Sequence, residues 1–227
     1  MGVNKMNMID PTSMVNTLDN LNQNILFGVT IPADQGLELA RWIASRQGDK
    51  GSYRGMSAPT PTDFEQGIHL FTGEKLQYAS ARPIMGQEAA RALWLFGNQD
   101  PALRTSYSQA TAWMRDNPEF DQTGTFCCGR CTLAYWRHFA VADFENKPLL
   151  LQKGLLAMHD LRTGDGHWRT LPFFYAIYTL EDLDLELARR ELNYAKAAIQ
   201  KNLKRLRSSP YSKRKVAILY KALEQIA

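Results

Sequence analysis

The feature that most constrains this chain is a turn used three times. The segments "RWIASRQGDKGSY" (41–53), "AWMRDNPEFDQTGTF" (112–126) and "AMHDLRTGDGHW" (157–168) each pass from a helix end through a polar turn into Gly-x-aromatic. The three endings are Gly51-Ser-Tyr53, Gly124-Thr-Phe126 and Gly166-His-Trp168. A helix is expected soon after the second and third, and after an insert in the first. Glycine admits a backbone conformation closed to other residues. The ring that follows it can wedge between neighbouring hairpins and bury about 150–250 Å². One helical hairpin cannot cover its own apolar face, so copies have to stack.

The segments between the turns carry the helical period. Met14, Leu18, Leu21 and Ile25 fall on one face ahead of Gly28. Asp34 opens a stripe through Leu37, Ala40, Ile43 and Ala44. Pro83 suits the first turn of a helix running to Gly97, and Asp100-Pro101 reads as an N-cap followed by proline at the first helical position. Leu133, Trp136 and Ala140 follow the second turn. Leu151, Leu155 and Met158 precede the third. Ala188, Leu192, Ala195 and Ile199, then Val216, Leu219 and Leu223, mark two final helices separated at Pro210. No segment alternates with a period of two, so the fold class is all-α, with stacked αα-hairpins. The chain reads as one helical-repeat domain, 1–227. An N-terminal helix or extension (1–33) leads to three hairpin repeats (34–181), with an insert at about 54–81. A C-terminal helix pair (182–227) ends it. Within the insert, Thr62-x-x-Glu65 has the form of a capping box for a short helix ending at Gly73.

Charge is uneven. From Asp184 onward there are 11 Lys and Arg against 4 Asp and Glu, while the whole chain is only +4. The basic end offers a surface for an anionic partner or a pair of solvated helix faces. Basic and aromatic residues do not interleave along it as a single-strand groove requires, so nucleic acid is not the expected partner. No run approaches the roughly 18 apolar residues of a membrane span. No secretory leader is recognisable at "MGVNKMNMID", and the cytoplasm is the expected location.

"ARWIASRQGDKGSY" and "LLAMHDLRTGDGHW" resemble the repeats of terpenoid cyclases and protein prenyltransferases over roughly residues 34–181. The resemblance implies an α/α toroid, partial or small here, with inner helices around a central cavity. The acidic Asp-x-Asp-Asp proton donor of class II cyclases is absent from the nearest string, Glu181-Asp182-Leu183-Asp184, and the Asp, Cys and His zinc set of prenyltransferases has no counterpart. Architecture is therefore carried over and activity is not.

Three sets of residues bear chemistry. Cys127, Cys128 and Cys131 are the only cysteines, and Cys128-Gly-Arg-Cys131 has the C-x-x-C spacing that zinc accepts. His167 holds the equivalent turn of the next repeat and can complete a Cys/Cys/His set. A thiol made nucleophilic by a helix N-terminus and Arg130 is a second reading. Tight packing of small side chains is the third. Cys128, Cys131 and His167 are thus the candidate catalytic residues. Arg82, Arg130 and Arg169 each precede an inner helix and, with unpaired N–H groups there, form a candidate anion site. Tyr53, Tyr135, Trp168 and Tyr175 are the aromatic residues expected to contact its ligand. Asp63, Glu65 and His69 offer acid–base chemistry on the insert or simply an exposed acidic helix.

Two functions follow. In one, a central pocket binds a small anionic or amphipathic molecule, as an enzyme or a receptor, with zinc a candidate cofactor. In the other, a non-enzymatic repeat adaptor holds a macromolecular partner on its concave or basic C-terminal surface. A homo-oligomer that completes a ring is compatible with either.

Overall fold

The computed structural model describes residues 8–115 and 123–227. The polar part of the second repeated turn, 116–122, lies outside the described residues. Ten helices occur among the described residues: α1 (Met14–Leu26), α2 (Ala33–Ala44), α3 (Pro61–Gln66), α4 (Tyr78–Gly97), α5 (Pro101–Arg115), α6 (Gly129–Val141), α7 (Lys147–His159), α8 (Phe173–Glu181), α9 (Glu186–Arg205) and α10 (Ser212–Gln225). No β-strand is formed among them, only isolated bridges. The all-α expectation holds. None of these helices is long and apolar enough to cross a membrane.

The chain divides into two compact units, 1–68 with 77–111 and 69–76 with 112–227. In the first, α4 is the central element, packed by α1 and α2. Thirteen residues of α4 are buried, among them Ile84, Met85, Ala89 and Leu93. A helix covered on nearly every side carries no clear apolar stripe. That is why its start is hard to read: α4 begins at Tyr78, and Pro83 lies inside it rather than in its first turn. The missing N–H deprives only the Ala79 carbonyl of an intrahelical partner, so the ring is tolerated near the helix start.

The short insert helix is also displaced from its expected cap. Thr60, not Thr62, is the N-cap of α3, with Pro61 at the first helical position and a reciprocal capping box between Thr60 and Asp63. Asp63 is buried. It accepts from Ser13 Oγ at 2.5 Å, from the amides of Met14 at 2.9 Å and Val15 at 3.4 Å, and from Thr60 N at 2.8 Å. One carboxylate thus satisfies orphan N–H groups at the starts of both α1 and α3. Its part is structural, and it is not the acid–base group of an exposed lid.

The second unit is layered. Helices α6, α8 and α10 touch in succession, while α7 and α9 touch each other; α7 packs on α6, and α9 packs on both α8 and α10. The second and third repeated turns are built into this arrangement. Gly124 has φ +65°, and a Cβ there would lie 2.1 Å from the Leu150 carbonyl oxygen of α7, so no larger residue fits. Its own carbonyl accepts from Trp136 Nε1 of α6 at 2.8 Å. Gly166 has φ +87° and approaches Ala195 and Ala198 of α9. Trp168 is buried beside it, and its Nε1 donates to Glu191 of α9 at 2.8 Å. Glu191 also takes two hydrogen bonds from Arg162, at 3.1 and 2.9 Å.

Candidate thiol site

The cysteines stand where the second turn becomes α6. The backbone ahead of them is tied down by Thr132. Its hydroxyl accepts from Phe126 N at 2.9 Å and donates to Phe126 O at 3.0 Å. Phe126 stacks on Tyr135 with ring centroids 5.4 Å apart, so the turn is anchored to the helix it introduces. Cys128 is the N-cap of α6, in extended conformation, and Cys131 lies three residues on, in its first turn. This is the spacing at which an N-cap side chain faces the third helical residue. The side chain of Cys127 turns to the same place. The three sulfurs lie within 4.8 Å of one another.

Their surroundings differ. Cys127 and Cys128 are exposed, and Cys131 is buried. Cys128 makes no cap hydrogen bond by strict geometry. Even so, the Cys131 thiol, and to a smaller degree the Cys131 and Arg130 amides, face its sulfur and hold the Cys128 pKa down to about 5, against the opposing effect of burial. Cys131 moves the other way: its proton is held by Cys128, and burial and the charge on Cys128 add to this. Cys127 is raised chiefly by burial. The surroundings thus favour the thiolate on the exposed Cys128 sulfur and the thiol at Cys131.

A loop from the next repeat closes one side. A Cβ on Gly129 would meet the Thr170 carbonyl oxygen at 2.7 Å and Leu171 at 2.5 Å. Thr170 itself has φ +65°, an unusual conformation for a β-branched residue. The second and third turns are thus neighbours at the start of α6, and Arg130 and Arg169 each adjoin this contact in sequence. Arg130 Nε is buried without a hydrogen-bond partner among the described residues. Arg169 is exposed and donates to Asp160 O at 3.2 Å.

The other expected site residues fall elsewhere. Arg82 and Tyr53 belong to the first unit, where Arg82 Nε donates to Gly51 O at 3.0 Å and a second guanidinium nitrogen donates to Ser52 O. Arg82 locks its own turn. His167 does not join the sulfurs: its Nδ1 is 3.2 Å from Asp165 Oδ1, and its ring lies 4.7 Å from Phe173. The third member of the cluster is Cys127, which the C-x-x-C spacing alone passes over. Tyr135, Trp168 and Tyr175 are core side chains, each at most 4 % exposed. Cavities lined by described residues of the second unit include two that no cysteine lines. One of about 430 Å³ is lined by Phe139, Asp143, Phe144 and Leu150. The other, of about 510 Å³, lies between α7 and α9 and is lined by Leu155, His159, Arg162 and Tyr194. Neither is lined by Arg82, Arg130 or Arg169.

A comparison with family models, curated proteins and solved structures finds no match to this chain.

Proposed function

We propose that the second unit is a thiol–disulfide exchange site acting on a small, anionic, disulfide-bearing molecule. The single observation that carries this reading is the pairing of an exposed Cys128, whose thiolate its surroundings favour, with a buried Cys131 three residues on, their sulfurs within 4.8 Å. The thiolate is the attacking species in exchange. Cys128 sulfur attacks one sulfur of the substrate disulfide. The substrate S–S bond breaks, the far thiolate leaves and takes a proton from solvent, and a mixed disulfide remains on Cys128. Cys131 then loses its proton and attacks Cys128 sulfur, releasing the second substrate thiol and closing a Cys128–Cys131 disulfide. The substrate gains two electrons and the protein loses them; a thiol reductant restores the dithiol. Residues three apart at a helix start lie within the range that a disulfide can bridge.

Arg130, Arg169 and the positive end of the α6 dipole favour a substrate that carries carboxylates or phosphates. The alternating layers of the second unit support the α/α architecture of terpenoid cyclases as its scaffold. Thiol exchange, however, comes from the residues of this chain and not from that likeness. The adaptor reading rests on a concave repeat surface or the basic C-terminal helices and has no site geometry beside it.

The test is trapping. A Cys131→Ala variant treated with an excess of oxidised glutathione should accumulate one glutathione on Cys128, read by intact mass and peptide mapping. The wild-type chain should resolve the adduct to an internal disulfide. Absence of any Cys128 adduct in the variant overturns the reading.

A further inference from the structure

Exchange uses two thiols, and Cys127 is left without a part. Its sulfur nevertheless sits with those of Cys128 and Cys131, all within 4.8 Å. We propose that the three reduced cysteines together bind one thiophilic metal ion of the zinc class through three sulfur ligands, with the fourth position open to solvent or to an incoming thiol. This site shares two cysteines with the exchange reading but does not depend on it.

The geometry is close to what such an ion needs. Zinc–sulfur bonds are about 2.3 Å, which places the sulfurs of a tetrahedral site about 3.8 Å apart. The observed upper bound is 4.8 Å, so the sulfurs have to close by no more than about 1 Å. Two of the three ligands stand on the loop that enters α6, where side-chain rotation achieves this without moving the helix. Cys131, in the first helical turn, is the fixed ligand. The phenyl ring and backbone of Phe126, tied to Tyr135 and Thr132, set the position of the loop.

The donor set selects the metal. Three sulfurs, with no imidazole or carboxylate in the group among the described residues, suit zinc, cadmium or copper(I) and reject magnesium and calcium. Three thiolates on a divalent ion leave a net charge of −1. Arg130 is the nearby cation in sequence, and the first amides of α6 point at the same end of the helix. Three protein ligands rather than four mark an open site, so an external thiol can reach the metal. Metal and disulfide exclude each other, because a sulfur in an S–S bond is no longer a thiolate ligand. The reduced protein therefore holds the ion, and oxidation of Cys128 and Cys131 releases it.

The experiment uses the full-length chain, reduced and handled anaerobically, with Cd²⁺ and Zn²⁺ as probes. Cadmium should produce sulfur-to-metal charge-transfer absorption that saturates at one equivalent. Zinc should compete with a chromophoric chelator at the same stoichiometry. Each of Cys127→Ser, Cys128→Ser and Cys131→Ser should weaken binding by more than about a hundredfold, beyond the roughly 10–100-fold loss expected when only a group hydrogen-bonded to a ligand is removed. Circular dichroism serves as the check that each variant keeps its helices. Wild-type binding no tighter than that of the triple serine variant overturns the proposal. Binding that survives Cys127→Ser also overturns it, because two ligands would then suffice. Cys127→Ser separates the two readings: it should lose metal yet still form the Cys128–Cys131 disulfide. A chain that binds metal but never forms that disulfide refutes exchange and leaves the metal site standing.

Discussion

The Asp63 hub of the first unit and the cysteine cluster of the second both gather polar groups at a helix start, and they are satisfied in opposite ways. Asp63 is buried and takes its hydrogen bonds from Ser13, Met14, Val15 and Thr60. These partners are backbone amides and a short side chain, none of which leaves without unravelling α1 or α3. The cysteines are satisfied chiefly by one another, and two of them are exposed. A group held by permanent backbone partners fixes structure. A group held by neighbours of its own kind can exchange them for an incoming atom, and this separates a structural turn from a chemical one.

Substitution can break that comparison directly. Asp63→Ala should produce the larger loss of stability, about 2–4 kcal/mol, since it leaves buried amides at the starts of two helices without their acceptor. Denaturant unfolding should show it as a lowered midpoint with an unchanged slope. Cys128→Ser, at an exposed position, should fall within about 0.5 kcal/mol of the parent. Equal effects would erase the distinction.

A half-buried acid adds a second contrast within the second unit. Glu181 is raised to about 9, chiefly by burial and then by the charge of Asp182, against smaller opposing effects of Lys221 and Arg137. Asp182 is itself paired with buried Arg137 at 2.6 Å. The sign is that of an acid whose folded pKa lies above its unfolded value. The unfolded chain gives up the proton above about 4.3, while the fold keeps it until about 9. The stability this group confers is full below the unfolded pKa and is lost as pH rises through the folded one. Melting temperature should therefore decline between pH 5 and 9, by an amount equivalent to about 1–3 kcal/mol. Glu181→Gln, which keeps a neutral side chain, should flatten the decline. A slope identical to that of the parent would remove Glu181 as its source. A modest effect is expected at Arg82→Lys: fewer hydrogen bonds to Gly51 and Ser52 should lower stability by about 1 kcal/mol, more than Cys128→Ser and less than Asp63→Ala.

Much of the helical layout was legible because local chemistry dictates it. The period-3.6 stripes place α1, α2, α9 and α10. Asp100 caps α5 through the amides of Ala102 and Leu103, as its sequence implies. Gly51, Gly124 and Gly166 all adopt positive φ. The misplacements have different causes. Thr60 and Asp63 form a capping box of their own, and it prevails over Thr62-x-x-Glu65 because Asp63 also binds residues about 50 positions away. α4 is buried on nearly all sides and has no stripe to mark its start. The site was half legible. C-x-x-C spacing gives Cys128 and Cys131, but no helical or C-x-x-C spacing brings in Cys127, whose sulfur only the folded turn places beside the other two. His167 was expected by repeat equivalence, whereas its own turn supplies Asp165 as a nearer partner.

Cys128 should carry a thiolate well below neutrality because Cys131 supports it. The rate of its carbamidomethylation, followed by peptide mass in the reduced, metal-free chain, tests this most directly. The account predicts nearly equal rate constants at pH 6 and pH 8, and a steep rise between them once Cys131 is replaced by alanine. A rise of about two orders of magnitude in the unsubstituted chain, as an ordinary cysteine of pKa near 8.5 would give, would contradict it.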